Sequence, residues 1–452
     1  MSRVLVIDPA STEFNRGSFC YLPYILYSYI KSKSVNSKVE LWEDFTATQI
    51  DDIEEDDTVY VALWSYPQVD LCKVIYRFSR SKRVFFFGYT PLAIEFGLPS
   101  LSLDGDTILN GIQNYPQFLV NGEMKHILLS DCDMHLKKYE GLVYPMFSSY
   151  GCPRDCSFCP SCVACNHKVL KVPFGKIEEM FKVMYEGGVR NIHFTDEDFF
   201  LSSKRALKVL QIAKSVGDFN FITLAHLSSI QKFLKVNKPE TLKDLGVRLI
   251  ELGFETADEE LAESMNKGNS LEDYIEVHDQ LKEHVDIFWL CLTFFPGETI
   301  TTLNETGEFL SKYGYQPEAL YGRLVTNSTE GGLGQFFQPY PGTRGFEDLS
   351  SLGTQIEDRP VRLLPSFIPN SFLEDEIEIT PLLESRVVEI LYWCDVYRLP
   401  KSEIKYLIPL LGQTVRSFLV CAKERCNVSA QDAAVFVAIL ARLRAIRSRR
   451  NR

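Results

Sequence analysis

A chain of 452 residues, 45% hydrophobic and 24% charged, has the make-up of a globular protein with apolar surface for two or three domains. No apolar run reaches the roughly 18–20 residues of a membrane-spanning helix, and the opening MSRVLVIDPA enters a strand-like run without a signal peptide, so the expected address is the cytoplasm. A formal net charge of −12 disfavours non-specific nucleic-acid binding over the whole surface.

In chain order, RVLVIDP reads as a strand, CYLPYILYSYIKSK as a helix, TVYVALW as a strand, VDLCKVIYRFSRS as a helix and RVFFFGY as a strand. This alternation predicts parallel βαβ units in an open, doubly wound, Rossmann-like sheet over residues 1–135. Within it, Glu40 to Asp57 carries nine acids and no base, the composition of a solvated loop or face. The segment DCDMHLKKYEGLVYP reads as a linker.

From Tyr144 to about Asn327 the alternation resumes. Strands are expected at YPMFSSY, RNIHFTD, FNFITLAH, VRLIELGF, DIFWLCLTFF and ALYGRLVT, with helices such as GKIEEMFKVMYEGG, SKRALKVLQIAKSVG and LEDYIEVHDQLKEH between them. Six units predict a partial (β/α)6 barrel spanning residues 140–350, a fold class that places chemistry at the carboxyl ends of its strands. Residues 328–372 read as an irregular connection. Beyond them the pattern is helical, predicting a small C-terminal domain at 370–447 with a basic tail to 452; the last eleven residues carry six arginines, a solvated terminus or an anion contact.

The cysteines carry the chemistry. Five of the twelve (Cys152, Cys156, Cys159, Cys162 and Cys165) fall within a short stretch directly after the first barrel strand. A disulfide framework belongs to small secreted domains, so this clustering points to a metal or to iron–sulfur chemistry. The remaining seven are scattered and read as small buried apolar residues. The spacing Cys-x3-Cys-x2-Cys at Cys152, Cys156 and Cys159 supplies three thiolates from one tight loop. A [4Fe–4S] cluster that only transfers electrons takes four cysteines; three leave one iron open to a ligand. Two alternatives use the next pair. Cys162 and Cys165 with His167 have the spacing of a structural zinc site, and Cys162-x2-Cys165 alone that of a thiol redox pair without its usual context. An auxiliary metal at Cys162 and Cys165 is a third option, compatible with the cluster.

GCPRDCSFCP, HFTDEDFF, RLIELGFETADEELAESMNKG, FFPGET and PYPGT follow one another in an order that resembles the radical SAM superfamily, in the branch with an N-terminal cobalamin-binding-type domain, over residues 1–350. The resemblance implies a cluster at Cys152, Cys156 and Cys159 that reductively cleaves S-adenosylmethionine to a 5′-deoxyadenosyl radical, with the electron from a flavodoxin- or ferredoxin-type donor. It also implies SAM contacts at Phe158 beside the last cysteine, at Asp196, Glu197 or Asp198 for the amino group, at one of Glu251 and Glu255 for the ribose or amino group, and at Pro296 and Gly297 near adenine. In that run Glu197 lies between the two aspartates, and Asp198 is the preferred acceptor, with capping of the helix near Ser202 as its alternative. Tyr321 and Arg323 are candidate substrate contacts. The family's Asp-x-His-x-x-Gly cobalamin motif is replaced by Ile7-Asp8-Pro9-Ala10, and neither His126 nor His135 stands in that pattern, so cobalamin is a candidate second cofactor and a degenerate scaffold domain the alternative. With cobalamin, methyl transfer follows; without it, rearrangement, oxidation or carbon–carbon bond formation. A modified nucleotide or nucleic acid is a candidate substrate, and the competing class is a non-catalytic zinc- or cluster-binding protein.

Overall fold

The computed structural model describes residues 3–9, 21–34, 37–64, 68–124, 143–313, 335–346, 349, 353–355, 367–369 and 371. The linker, His126, His135, the ALYGRLVT strand with Tyr321 and Arg323, the helical C-terminal domain and the arginine tail lie outside them.

The N-terminal strands are β1 (Arg3–Pro9), β2 (Lys38–Phe45), β3 (Thr58–Leu63), β4 (Arg83–Gly88) and β5 (Ser100–Leu101), with helices α1 (Leu22–Lys33), α2 (Val69–Phe78), α3 (Thr90–Glu95) and α4 (Gly105–Val120). They form one parallel sheet in the order β2-β1-β3-β4-β5. Leu5, Val6 and Ile7 of β1 are fully buried, which is why that interior strand reads as a continuous apolar run. The strand order reverses between β1 and β3, and open α/β sheets bind ligands beyond the carboxyl ends at such a point.

The acidic run is not one solvated loop. Its first part is β2, whose buried Val39 and Phe45 seat the strand beside β1. At its end Asp57 is buried and receives the Arg3 guanidinium through Nε at 3.1 Å and Nη2 at 2.7 Å. Half-buried Glu40 and Glu43 on this strand, with the acids that follow it, conceal the strand from a charge count.

The second sheet contains β6 (Val143–Met146), β9 (Asn191–Phe194), β10 (Asn220–His226), β11 (Val247–Glu255), β12 (Asp286–Thr293) and β13 (Gln335–Phe336), in the order β13-β12-β11-β10-β9-β6. Between β6 and β9, β7 (Ser149–Tyr150) and β8 (Leu170–Lys171) pair antiparallel as a separate two-stranded ribbon. The helices of this region are α5 (Pro160–Ala164), α6 (Phe174–Glu186), α7 (Ser203–Val216), α8 (Leu227–Leu234), α9 (Glu240–Asp244), α10 (Glu259–Ser264), α11 (Leu271–Leu281) and α12 (Ile300–Lys312). The strand expected over Tyr144–Tyr150 therefore ends at Met146. Ser148 and Ser149 turn their N–H groups to a carboxylate instead of a neighbouring strand, which ends the ladder.

Two compact units emerge from the packing: Met1–Gly253 with Glu276–Phe288 and Tyr340–Thr343, and Phe254–Ile275 with Trp289–Pro339 and Arg344–Arg452. In the first, Phe181 of α6 meets Phe194 of β9 at 6.3 Å and Phe221 of β10 at 6.1 Å, so these two strand positions face the helix layer. In the second, Phe254 stacks on Phe309 at 4.4 Å and meets Tyr274 edge-on at 4.9 Å, the ring geometries that aromatic quadrupoles favour. Among the described residues no helix is long and apolar enough to cross a membrane.

α4 crosses α1 at Gly111, where a Cβ would lie 2.3 Å from the Ile25 carbonyl oxygen. Gly175 of α6 has nothing within 4 Å of its Cβ position. Alanine should therefore act with opposite signs: Gly111→Ala is expected to cost about 1–3 kcal/mol by pushing two helix backbones apart, and Gly175→Ala to stabilise by roughly 0.5–1 kcal/mol. Urea midpoints of the two variants check this, and a neutral Gly111→Ala would show that the crossing is not close-packed.

Candidate functional site

The cysteine loop leaves β7 at Tyr150 and returns at β8, so the ribbon closes its neck by pairing Ser149 with Lys171 and Tyr150 with Leu170. Gly151 opens the loop at φ +96°, and a Cβ there would lie 2.2 Å from the Lys168 carbonyl oxygen, so glycine is required for both reasons. Cys152 and Cys162 are buried, and Cys156, Cys159 and Cys165 are half-buried. None of the five is joined in a disulfide. A turn from Cys159 N–H to the Cys156 carbonyl, 3.1 Å, sets the second and third cysteines, and α5 begins immediately after Cys159. Arg205 ties the neck from α7, its Nη2 donating to the carbonyls of Ser148 at 2.7 Å and Val172 at 2.6 Å.

Three successive carboxylates beyond the end of β9 hold this loop. Asp196 is saturated: it accepts from the N–H groups of Ser148 (2.8 Å) and Ser149 (2.6 Å) and from their hydroxyls (2.7 and 2.6 Å). Asp198 accepts from Arg154 Nη2 at 2.8 Å, Ser229 Oγ at 2.7 Å and His226 N–H at 3.3 Å. Its carboxylate thus serves the start of α8, and the helix near Ser202 has no side-chain cap. Arg154, between the first two cysteines, joins that loop to Asp198 by a charged bond. Glu197 differs from both. Among the described residues its one donor from another residue is Gly151 N–H, at 2.9 Å. Burial pushes its carboxyl up to about 8, with neighbouring Asp196 adding in the same direction. Sequence reading preferred Asp198, whereas the bonding leaves Glu197 the carboxylate with acceptor capacity beside the cysteines. The run of three acids signalled the place but not the residue.

Burial holds the Cys152 thiol up at about 12. Phe158 is half-buried in the same loop. His167, a zinc candidate in the sequence, has its Nδ1 3.0 Å from the Arg154 carbonyl oxygen, and among the described residues no three His, Cys, Asp or Glu side chains converge on a single-ion position. A four-iron cube is larger than one ion and takes its thiolates at separate corners, so this bears on a zinc site and not on a cluster.

Glu251, also in the first unit, is buried against His193, Oε2 to Nε2 at 3.2 Å. Glu255, in the second unit, has φ +70° and forms a buried ion pair with Lys267 at 2.9 Å, a partner that sequence reading missed. Pro296 is half-buried and Gly297 exposed at φ +93°, in a loop after β12 organised by another unpredicted residue, Glu298. Glu298 is buried and accepts a close hydrogen bond from the N–H of Phe294, itself at φ +65°. Burial holds its carboxyl up at about 8.

With this geometry in place, the comparisons with known proteins are direct. Residues 146–310 match the family model described as the radical SAM superfamily. That match covers somewhat over a third of the chain, the segment holding the cysteine loop and the strands after it. Among curated proteins it is 27% identical over 209 residues to the uncharacterized methyltransferase PH0819 of Pyrococcus horikoshii, covering 45% of this chain and 41% of that one. It is 26% identical over 225 residues to bacteriochlorophyllide d C-12(1)-methyltransferase of Chlorobaculum tepidum, covering 48% and 44%. The chain thus spans less than half the length of the curated relatives it matches. Among solved structures, the radical S-adenosylmethionine methyltransferase TsrM from Kitasatospora setae, with tryptophan and a SAM analog, aligns with a TM-score of 0.54 at 15% identity over 83% of this chain and 84% of that one. The cobalamin-dependent S-adenosylmethionine radical enzyme OxsB, with aqua-cobalamin and SAM, aligns at 0.55 and 13% identity over 100% and 80%. The fold expected from the sequence, an α/β chain with a Rossmann-like sheet ahead of a radical SAM unit, is the fold found.

Two outcomes follow from the buried charges. Arg154→Ala strands the Asp198 carboxylate and should destabilise by about 2–3 kcal/mol, below the 3–5 of a fully buried pair because the Arg154 side chain is 22% exposed; equilibrium denaturation checks it. For Glu298 the folded value of about 8 lies above the ordinary 4.5, so its favourable contribution is complete below about pH 4.5 and disappears as pH rises through about 8. Glu298→Gln should accordingly gain stability relative to the parent as pH is raised across that window. Parallel stability–pH curves would contradict this.

Proposed function

We propose that this chain is a cobalamin-dependent radical SAM enzyme of the methyl-transferring kind, with Cys152, Cys156 and Cys159 as the three protein ligands of a [4Fe–4S] cluster and Glu197 as the acceptor for the SAM ammonium group. The observation that carries the reading is the loop itself: three cysteines outside any disulfide, at ligand spacing on a neck-closed loop, with one under-bonded carboxylate against its first residue.

The donor set fits the cluster, because three thiolates leave an iron available. It also fits SAM, because Glu197 retains lone pairs for an ammonium and ionises when a cation arrives beside it. When bound, the cluster and SAM supply reductive cleavage of the sulfonium, and cobalamin supplies a methyl carrier. What the chain does is position and seclude. Asp196 fixes the neck through Ser148 and Ser149, Arg154 and Asp198 fix the segment between Cys152 and Cys156, and burial keeps water from Cys152. The electron is drawn from an external flavodoxin- or ferredoxin-type donor.

For cobalamin the support lies in the N-terminal sheet and in the relatives. The β2-β1-β3-β4-β5 order provides a switch point, and next to it, just past β3, the indole Nε1 of Trp64 is buried without a hydrogen-bond partner, a donor suited to a polar ligand edge. No histidine follows β1, β3 or β4 directly, so cobalt would be held without an imidazole from these positions. TsrM and OxsB, which share the fold, are described with cobalamin, and both curated relatives are methyltransferases.

The chain, purified without oxygen, reconstituted with iron and sulfide and given reductant and SAM, should consume SAM; Cys152→Ala, Cys156→Ala and Cys159→Ala should each fall to background. Glu197→Gln should bind SAM about 10–100-fold more weakly, the loss expected for a charged hydrogen bond. SAM turnover that survives loss of any of the three cysteines would end the cluster assignment, and a visible spectrum unchanged by added cobalamin would end the second cofactor.

A further inference from the structure

Cys162 and Cys165 have no task in that scheme, yet each thiol is engaged with the backbone of a cysteine assigned to the cluster. Cys162 lies in the first turn of α5, and its Sγ donates to the carbonyl of Cys159 at 3.0 Å. Cys165 Sγ accepts from the N–H of Cys152 at 3.3 Å and lies 3.5 Å from the Cys152 carbonyl oxygen. It also packs against Gly151, where a Cβ would stand 3.2 Å from that sulfur. The two extra thiols therefore grip the last and the first of the three cysteines, and the middle one is set by the Cys159–Cys156 turn.

We infer that Cys162 and Cys165 are positioning residues, fixing the backbones of Cys159 and Cys152 so that the three sulfurs are arrayed before a cluster arrives. This rests on the cluster reading above. The physical case is one of pre-organisation: a short loop opened by a left-handed glycine must hold three ligands in a fixed array, and neutral thiols close to its backbone restrict it without adding charge. Sulfur is large and polarizable enough to fill the space against Gly151 while still bonding weakly to both groups of Cys152. An auxiliary metal would require both thiols to abandon these partners for a shared ion.

The test uses the full chain, reconstituted without oxygen, as the parent and as Cys162→Ala, Cys162→Ser, Cys165→Ala and Cys165→Ser. Iron and zinc per chain, the electron paramagnetic resonance spectrum and midpoint potential of the reduced cluster, and the rate of iron loss to a chelator are measured. The parent should hold about four irons and no further metal. Each alanine variant should still take up a cluster but lose iron on the order of fivefold faster, as removal of one hydrogen bond allows, with an altered spectrum and potential. Cys162→Ser should restore the parent rate, because its hydroxyl donates to the same carbonyl; melting of the apoproteins separates a folding defect from a loop defect. Parent-like iron loss and spectra in both alanine variants would overturn the inference while leaving the cluster intact. Extra iron or zinc in the parent that both serine variants lack would replace it with an auxiliary metal. A parent that binds no cluster at all would instead defeat the underlying reading, and this inference with it.

Discussion

Three adjacent carboxylates beyond one short strand, Asp196, Glu197 and Asp198, organise the cysteine loop. Packing three acids side by side, Asp196 and Asp198 buried and Glu197 half-buried, is unfavourable unless each finds donors, and each finds a different set. Asp196 takes four from Ser148 and Ser149, and Asp198 takes Arg154, Ser229 and the start of α8. Glu197 takes the N–H of Gly151. Through these bonds the end of β9 grips the neck of the loop, its first residue and the segment between its first two cysteines.

The consequence for chemistry is a division of labour among residues that look alike. Two of the acids are satisfied and structural, and the one left short of donors has its carboxyl pushed upward by burial. The same contrast recurs elsewhere. Glu251 is answered by His193 in the first unit, and Glu255 by Lys267 in the second, so both barrel acids have partners within the chain. Glu298 holds a left-handed Phe294 in place through its N–H. Strain of this kind persists where the surroundings over-determine the backbone, here in the loop after β12.

Much of the architecture was legible beforehand because parallel strands covered on both faces are written as apolar runs, and helices between them as 3.6-residue patterns. The strands ending at His226 and Glu255 lie where the pattern puts them. Two errors share one cause, which is that side chains were read without their partners. β2 was hidden because the acids in and after it outweighed Val39 and Phe45. The strand expected to Tyr150 stops at Met146 because Ser148 and Ser149 bond to a carboxylate some fifty positions away.

The sequence by itself determined where the chemistry-bearing cysteines lie and which superfamily their motifs resemble, since the spacing of Cys152, Cys156 and Cys159 and the order of the motifs after them are local and countable. Tertiary structure alone decided which acid beside those cysteines is left short of donors, and what Cys162 and Cys165 touch. The reason is that hydrogen-bond saturation is not a property of a residue type. It depends on donors supplied from distant segments, such as Arg154 on Asp198 and the serines on Asp196, and no local pattern records which acid they reach.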